Sequence, residues 1–118
     1  NDEGRSSFDG TVIVNQGAQL TNSNQLINNL MLSNNCHADN KPNLMIFADD
    51  VKCTHGATIG QIDDEQMFYL QTRGLSEKFA KELLTRGFAE SIIQTIEFPE
   101  VVNELSNTLL KKLEASNV

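Results

Sequence analysis

The residue pattern of the chain changes once, near Gly60, and this change constrains the fold more than any other feature. Before Gly60, apolar residues come in short β-prone runs bounded by Gly, Asn or Asp, a pattern typical of strands and turns. After it, apolar residues recur every three or four positions, as in amphipathic helices. Strands that precede helices, rather than alternating with them, argue against a doubly wound α/β sheet. We therefore predict a β portion, 1–61, and a helical portion, 62–118.

The β portion is rich in residues that favour turns. Ten of the thirteen Asn residues of the chain lie within it, where they are expected in turns and exposed ladders. The spacing of the apolar runs is compatible with short strands that stack as rungs of a solenoid and turn at Gly or Asn. A β-sandwich fits this pattern almost as well.

Capping residues in the helical portion predict where its helices begin. Asp63 or Asp64 caps the first helix, Ser76 caps the second, and Pro99 stands at the first position of the third. Gly87 is expected to kink or divide the second helix. The apolar stripes of these helices either cover the end of the β portion or offer a groove to a partner.

The charge of the chain argues against two classes of partner. Nine Lys and Arg residues against sixteen Asp and Glu residues give a formal net charge of −7. This balance disfavours nucleic acid as a partner, because binding nucleic acid requires clustered positive charge. It also provides no polybasic patch for a membrane surface, and no apolar run approaches the ~20 residues of a bilayer span.

The common catalytic motifs are missing as well. The sequence contains no phosphate-binding G-x-x-x-x-G-K-[ST] loop, no G-x-S-x-G elbow and no H-E-x-x-H helix. We therefore expect that the chain is not itself an enzyme. Its two cysteines form no disulfide framework, which favours a reducing, cytoplasmic location.

Four residues that could bind metal lie close together in the sequence: Cys36, His37, Cys53 and His55. Cys53 and His55 are two positions apart, so on a strand they point to the same side with Cα atoms ~6–7 Å apart. A thiolate beside an imidazole suits iron, zinc or copper.

Two other interpretations of these residues stay open. Cys53 could serve as a small buried apolar residue and His55 as a turn residue before Gly56, with no ligand role. Alternatively, all four Cys and His residues could form a zinc site that stabilises a small domain. The spacing does not favour this, because Cys36 and His37 are adjacent and the C-x₂₋₄-C pattern of such sites is missing.

Three stretches of the sequence carry a resemblance to a known family: RSSFDG at 5–10, ADDVKCTHGATIG at 48–60 and FYLQTRG at 68–74. Over nearly its whole length, the chain closely resembles the C-terminal part of the SufB/SufD family of iron–sulfur cluster assembly proteins. Gly56 directly after His55 is similar to SufD-type members, whereas SufB-type members typically carry Glu-His-Glu-Ala-Thr there. The chain is much shorter than a full member and begins without Met, so we expect a C-terminal fragment.

The resemblance implies a fold: the C-terminal rungs of a right-handed parallel β-helix over 1–61, followed by a small α-helical domain over 62–118. It also implies partners. SufB would bind through the β-helix, and the ATPase SufC would bind through helices within 63–115. The exposed end of the solenoid is further expected to pair two copies into a homodimer when the piece is isolated.

The resemblance also implies a role for the Cys-x-His pair. Cys53 and His55 correspond to SufD residues at the interface with SufB, where a nascent iron–sulfur cluster forms. The expected cofactor state is therefore a transient cluster within the complex and no stably bound group in the isolated chain. The alternative is a purely structural protein–protein interaction module in which neither residue is a ligand.

Overall fold

The chain forms four strands followed by three helices. The computed structural model describes residues 3–115. The elements in chain order are β1 Arg5–Val14, β2 Asn22–Met31, β3 His37–Ile46, β4 Lys52–Gln61, α1 Asp64–Thr72, α2 Glu77–Ile93 and α3 Pro99–Ala115. The internal contacts divide the chain into one unit that holds the strands, Asn1–Gln61, and a second that holds the helices, Ile62–Val118.

The prediction of a right-handed parallel β-helix is wrong. β1 pairs with β3 and β2 pairs with β4, which gives two separate two-stranded parallel sheets. Within residues 3–115 each sheet ends after its second strand, so the strands form no solenoid. The four strands also run for ten residues each, well beyond the short apolar runs.

The physical reason for this error is that strand pairing joins residues about thirty positions apart, which local sequence patterns do not specify. The length of the strands has a separate cause in the asparagines of β2. The asparagines were expected in turns and exposed ladders, and Asn24 and Asn28 lie within the strand, in an exposed ladder. Their side-chain oxygens accept hydrogen bonds from the hydroxyls of Thr54 and Thr58 on β4, at 3.0 and 2.8 Å. Because a neighbouring strand satisfies the Asn side chains, these residues extend the strand instead of ending it.

The core of the β unit is small. Val14, at the end of β1, and Ala48, between β3 and β4, are its buried apolar residues, 3% and 6% exposed. From Asn22 to Asn29 the exposure alternates from one residue to the next, as expected for a strand with one covered face. The covered face of β2 includes Ser23 and Gln25, so polar side chains as well as apolar ones point inward.

The helix starts that the sequence predicts are confirmed. Asp63 and Ser76 cap α1 and α2, and each accepts a backbone N–H of the first turn, at 2.8 and 3.4 Å. Pro99 is the first residue of α3. Gly87 does not divide α2, which continues to Ile93. None of the helices between residues 3 and 115 has the length and apolar character needed to cross a membrane.

Candidate functional site

The strand that carries Cys53 and His55 starts from a corner fixed by hydrogen bonds. The Leu20 N–H donates to the Asp50 carbonyl at 2.6 Å, and the Asp50 N–H donates to Gln19 Oε1 at 2.9 Å. The Lys52 N–H then donates to the Thr21 carbonyl at 2.9 Å, where β4 begins. Leu20 has a φ of 64°, a left-handed conformation that a leucine adopts only at an energetic cost. These bonds hold Leu20 there and so fix the start of β4.

Cys53 and His55 lie on one face of β4, as their spacing predicts. In the parallel register, Cys53 is opposite Ser23 and His55 is opposite Gln25 on β2. Cys53 is a free, half-buried cysteine, and His55 is exposed. Because residues in register project to the same side of a parallel pair, the thiol, the imidazole, a hydroxyl and an amide share this face.

The opposite face of β4 holds the strand in register. The Thr54 and Thr58 hydroxyls donate to the side-chain oxygens of Asn24 and Asn28. A slip of one residue would break these bonds and move every side chain to the other face. The polar ladder on one side of β4 thus determines which side presents Cys53 and His55.

Gln25, the register neighbour of His55, reaches towards β1. Its Nε2 donates to the Gly10 carbonyl at 3.4 Å. A Cβ on Gly10 would lie only 2.8 Å from that nitrogen and 2.5 Å from Cζ of Phe8, so the close approach depends on glycine. Gln25 Oε1 is buried and has no hydrogen-bond partner among the described residues, and the same is true of Asn40 Nδ2.

Sequence reasoning missed Gln25 because no local signal marks it. It lies in a polar stretch of β2, far along the chain from His55. Only the pairing of β2 with β4 brings the two residues together. Only a prediction of which residues of β2 and β4 lie opposite each other would have identified Gln25 as a neighbour of His55.

The structure does not add Cys36 and His37 to the pair on β4. Cys36 Sγ donates to the Ser33 carbonyl at 2.9 Å, and His37 begins β3 opposite Arg5. Residues 3–115 contain no cluster of three or more His, Cys, Asp or Glu side chains placed to hold a metal ion. The four-ligand zinc site considered from the sequence therefore has no counterpart in this part of the chain. Cys53 and His55 provide two donors, half of a tetrahedral ligand set.

Two apolar grooves, each lined in part by charged residues, lie on the described part of the helical unit. The first, of about 460 Å³, lies between α1 and α2, and the second, of about 390 Å³, involves α2 and α3. Leu83 lines both. The first groove is formed by Asp63, Glu65, Gln66, Tyr69, Leu70, Leu83 and Leu84.

Comparison with known proteins identifies the family. Residues 1–88 match the SufBD core domain of the SUF system for iron–sulfur cluster assembly. The iron–sulfur cluster assembly protein SufD of Escherichia coli is 43% identical over 95 residues, which cover 80% of this chain and 22% of that protein. A SufBD family protein of Synechocystis is 49% identical over 89 residues, 75% of this chain and 20% of that protein.

A plant protein is also similar. The chloroplastic protein ABCI7 of Arabidopsis thaliana is 40% identical over 104 residues, 88% of this chain and 22% of that protein. Its name places that relative in the chloroplast, so the cytoplasmic location predicted for this chain stays a prediction. The chain spans about a fifth of the length of these curated relatives. With the core-domain match over most of its residues, the chain belongs to the SufBD family of iron–sulfur cluster assembly proteins.

Proposed function

We propose that the chain is part of a scaffold subunit on which an iron–sulfur cluster is assembled, and that Cys53 and His55 are ligands of the nascent cluster. The observation that carries this proposal is the thiol and imidazole on one face of β4, in a chain of the SufBD family. The cluster is cargo in this role and not a resident cofactor. The chain itself carries out no catalysis.

The chemistry of the pair supports this role. Thiolates are the usual ligands of iron–sulfur clusters, and imidazole replaces them in some. Cys53 must lose its proton to bind iron, whereas neutral His55 binds through a ring lone pair. Because this face provides two such donors, the remaining ligands come from a partner. We propose SufB as that partner, bound through the β unit.

The second proposed partner is the ATPase SufC, bound through helices within 63–115. The sequence has no loop that would cradle nucleotide phosphates, so ATP hydrolysis belongs to a partner. The apolar grooves of the helical unit offer a surface suited to an amphipathic element of such a partner. Leu83, which lines both grooves, is the residue on which this contact is expected to depend.

The ligand role is tested by His55→Ala in the intact protein within its complex. We expect anaerobic reconstitution with iron and sulfide, followed by visible absorption, to give several-fold less cluster than wild type. Thr54→Val is the matched control, because Thr54 is adjacent on the same strand but faces the other side. Full cluster yield in His55→Ala with the complex intact would refute the ligand role.

The same experiment separates the ligand role from a purely structural one. His55 is exposed, and its side chain forms no hydrogen bond or ion pair within residues 3–115. A histidine with no functional role at the surface would look the same, so the structure alone does not separate the two roles. If the chain were only an interaction module, His55→Ala would leave both the complex and the cluster unchanged. Loss of cluster with retention of the complex assigns the chemistry to the imidazole.

A further inference from the structure

The groove between α1 and α2 provides space and apolar surface for the side chains of a partner. Leu70, Leu83 and Leu84 line it, and Leu83 is 48% exposed. Its volume is about 460 Å³. A cavity of ~150 Å³ holds a benzene molecule, so this groove has room for about three side chains of that size. An amphipathic helix fills such a groove with apolar side chains that are three or four positions apart.

Tyr69 adds an ordered aromatic ring to the same groove. Its side chain is 57% exposed, and the Arg73 guanidinium carbon lies 5.2 Å from the centroid of the ring. The attraction between this cation and the ring restricts the ring before a partner arrives. Because an ordered aromatic side chain loses little freedom on binding, Tyr69 is suited to anchor a partner.

Two carboxylates make one end of this groove acidic. Asp63 and Glu65 line it at the start of α1, and Glu65 precedes Leu70 by five residues, ~7–8 Å along a helix axis. Asp63 caps the helix through the Glu65 N–H, and neither carboxylate forms an ion pair within residues 3–115. Since free negative charge lies beside apolar surface, the matching partner carries a basic side chain beside apolar ones.

The second groove, which involves α2 and α3, lacks this imbalance. Its charged lining residues are Glu82 and Arg86, one of each sign. Arg86 is also paired within its own helix, because its Nε donates to Glu90 Oε1 at 2.8 Å. Electrostatic attraction of a basic partner is therefore expected from the first groove and not from the second.

A second copy of this chain is a poor match for the acidic groove. The formal net charge of the chain is −7, and residues 62–118 hold ten acidic residues against six basic ones. Two such surfaces would bring like charges together, which disfavours their association. The charge therefore favours a different and more basic protein as the occupant.

We propose that the groove between α1 and α2 binds a basic amphipathic helix of a partner protein. The apolar side chains of this helix contact Leu70, Leu83 and Leu84, and a Lys or Arg side chain next to them pairs with Asp63 and Glu65. This inference rests on the proposed contact with SufC, for which it names the groove and the charge of the occupant.

The test measures binding of purified SufC to the intact protein by calorimetry. Glu65→Lys should weaken binding about ten-fold at low salt, because repulsion replaces an attraction at the edge of the contact. Raising the NaCl concentration to ~0.5 M should bring wild type and Glu65→Lys within about two-fold of each other, because salt screens exposed charges.

Two further variants separate the charge of the groove from other effects. Glu104→Lys makes the same change in net charge at an exposed position on α3 outside both grooves, and should bind within about two-fold of wild type. Glu65→Gln removes the charge without placing a cation in the first turn of α1, and should weaken binding about three-fold, as expected for a partly exposed ion pair.

Equal binding by Glu65→Lys and Glu104→Lys would overturn the proposal. If Leu83→Asp weakened binding and both Glu65 variants did not, the contact with SufC would stand and the assignment of an acidic groove would fail. If none of these variants weakened binding, the proposed contact would fail as well. A change in the self-association of Glu65→Lys, measured by sedimentation with SufC binding unaltered, would identify a second copy as the occupant and overturn the proposal.

Discussion

Gly10→Ala tests the packing on which the position of Gln25 depends. An added Cβ would lie 2.5 Å from Cζ of Phe8 and 2.8 Å from Nε2 of Gln25, so both side chains must move. Phe8 is 43% exposed and can swing outward, which loses roughly half the burial of a phenylalanine, or about 1 kcal/mol. Displacing Gln25 breaks its hydrogen bond to Gly10, worth about 1 kcal/mol more. The expected loss in the free energy of unfolding is therefore ~2 kcal/mol.

Urea unfolding of the intact protein measures this loss. Gly60→Ala is the matched control, since Gly60 also lies in a strand and a Cβ there would meet nothing within 4 Å. We expect this control to be neutral or stabilising by up to ~1 kcal/mol, because alanine restricts the unfolded chain. If the two variants differed by less than ~0.5 kcal/mol, Gly10 would not be packed against Phe8 and Gln25 as described.

Two predictions concern the helical unit. Asp63→Ala removes the cap of α1 and should lower stability by ~1 kcal/mol in urea unfolding, whereas Asp63→Ser should restore most of it; equal loss in both variants would contradict the capping role. Leu83→Asp places a charge in both grooves and should weaken binding of SufC, the proposed partner, about ten-fold or more in calorimetry. Lys78→Asp, a change on α2 outside both grooves, should bind as wild type, and equal weakening by the two variants would refute the contact.

Features that depend on residues close together in the chain were predicted correctly from the sequence, and features that depend on distant residues were not. The caps Asp63 and Ser76 act on residues two or three positions away, so the sequence carries the whole signal. The spacing of Cys53 and His55 likewise determines that they share a face once the strand exists. Strand pairing is not local, because the partners of β4 lie thirty residues earlier in the chain. The β-helix was wrongly predicted, and Gln25 was missed, for this one reason.

The homodimer of the isolated chain stays a prediction.

The register of β4 against β2 links the stability of this unit to its proposed chemistry. On one face, Thr54 and Thr58 pair with asparagines, and each such cross-strand pair contributes ~0.2–1 kcal/mol. On the other face, the same register places Gln25 beside His55. The polar ladder is exposed and adds little to the core, but it discriminates against a slip that would turn the imidazole away from its neighbour. We therefore expect the loss of both pairs together, but not of either pair alone, to reduce cluster formation more than the effect on stability would explain.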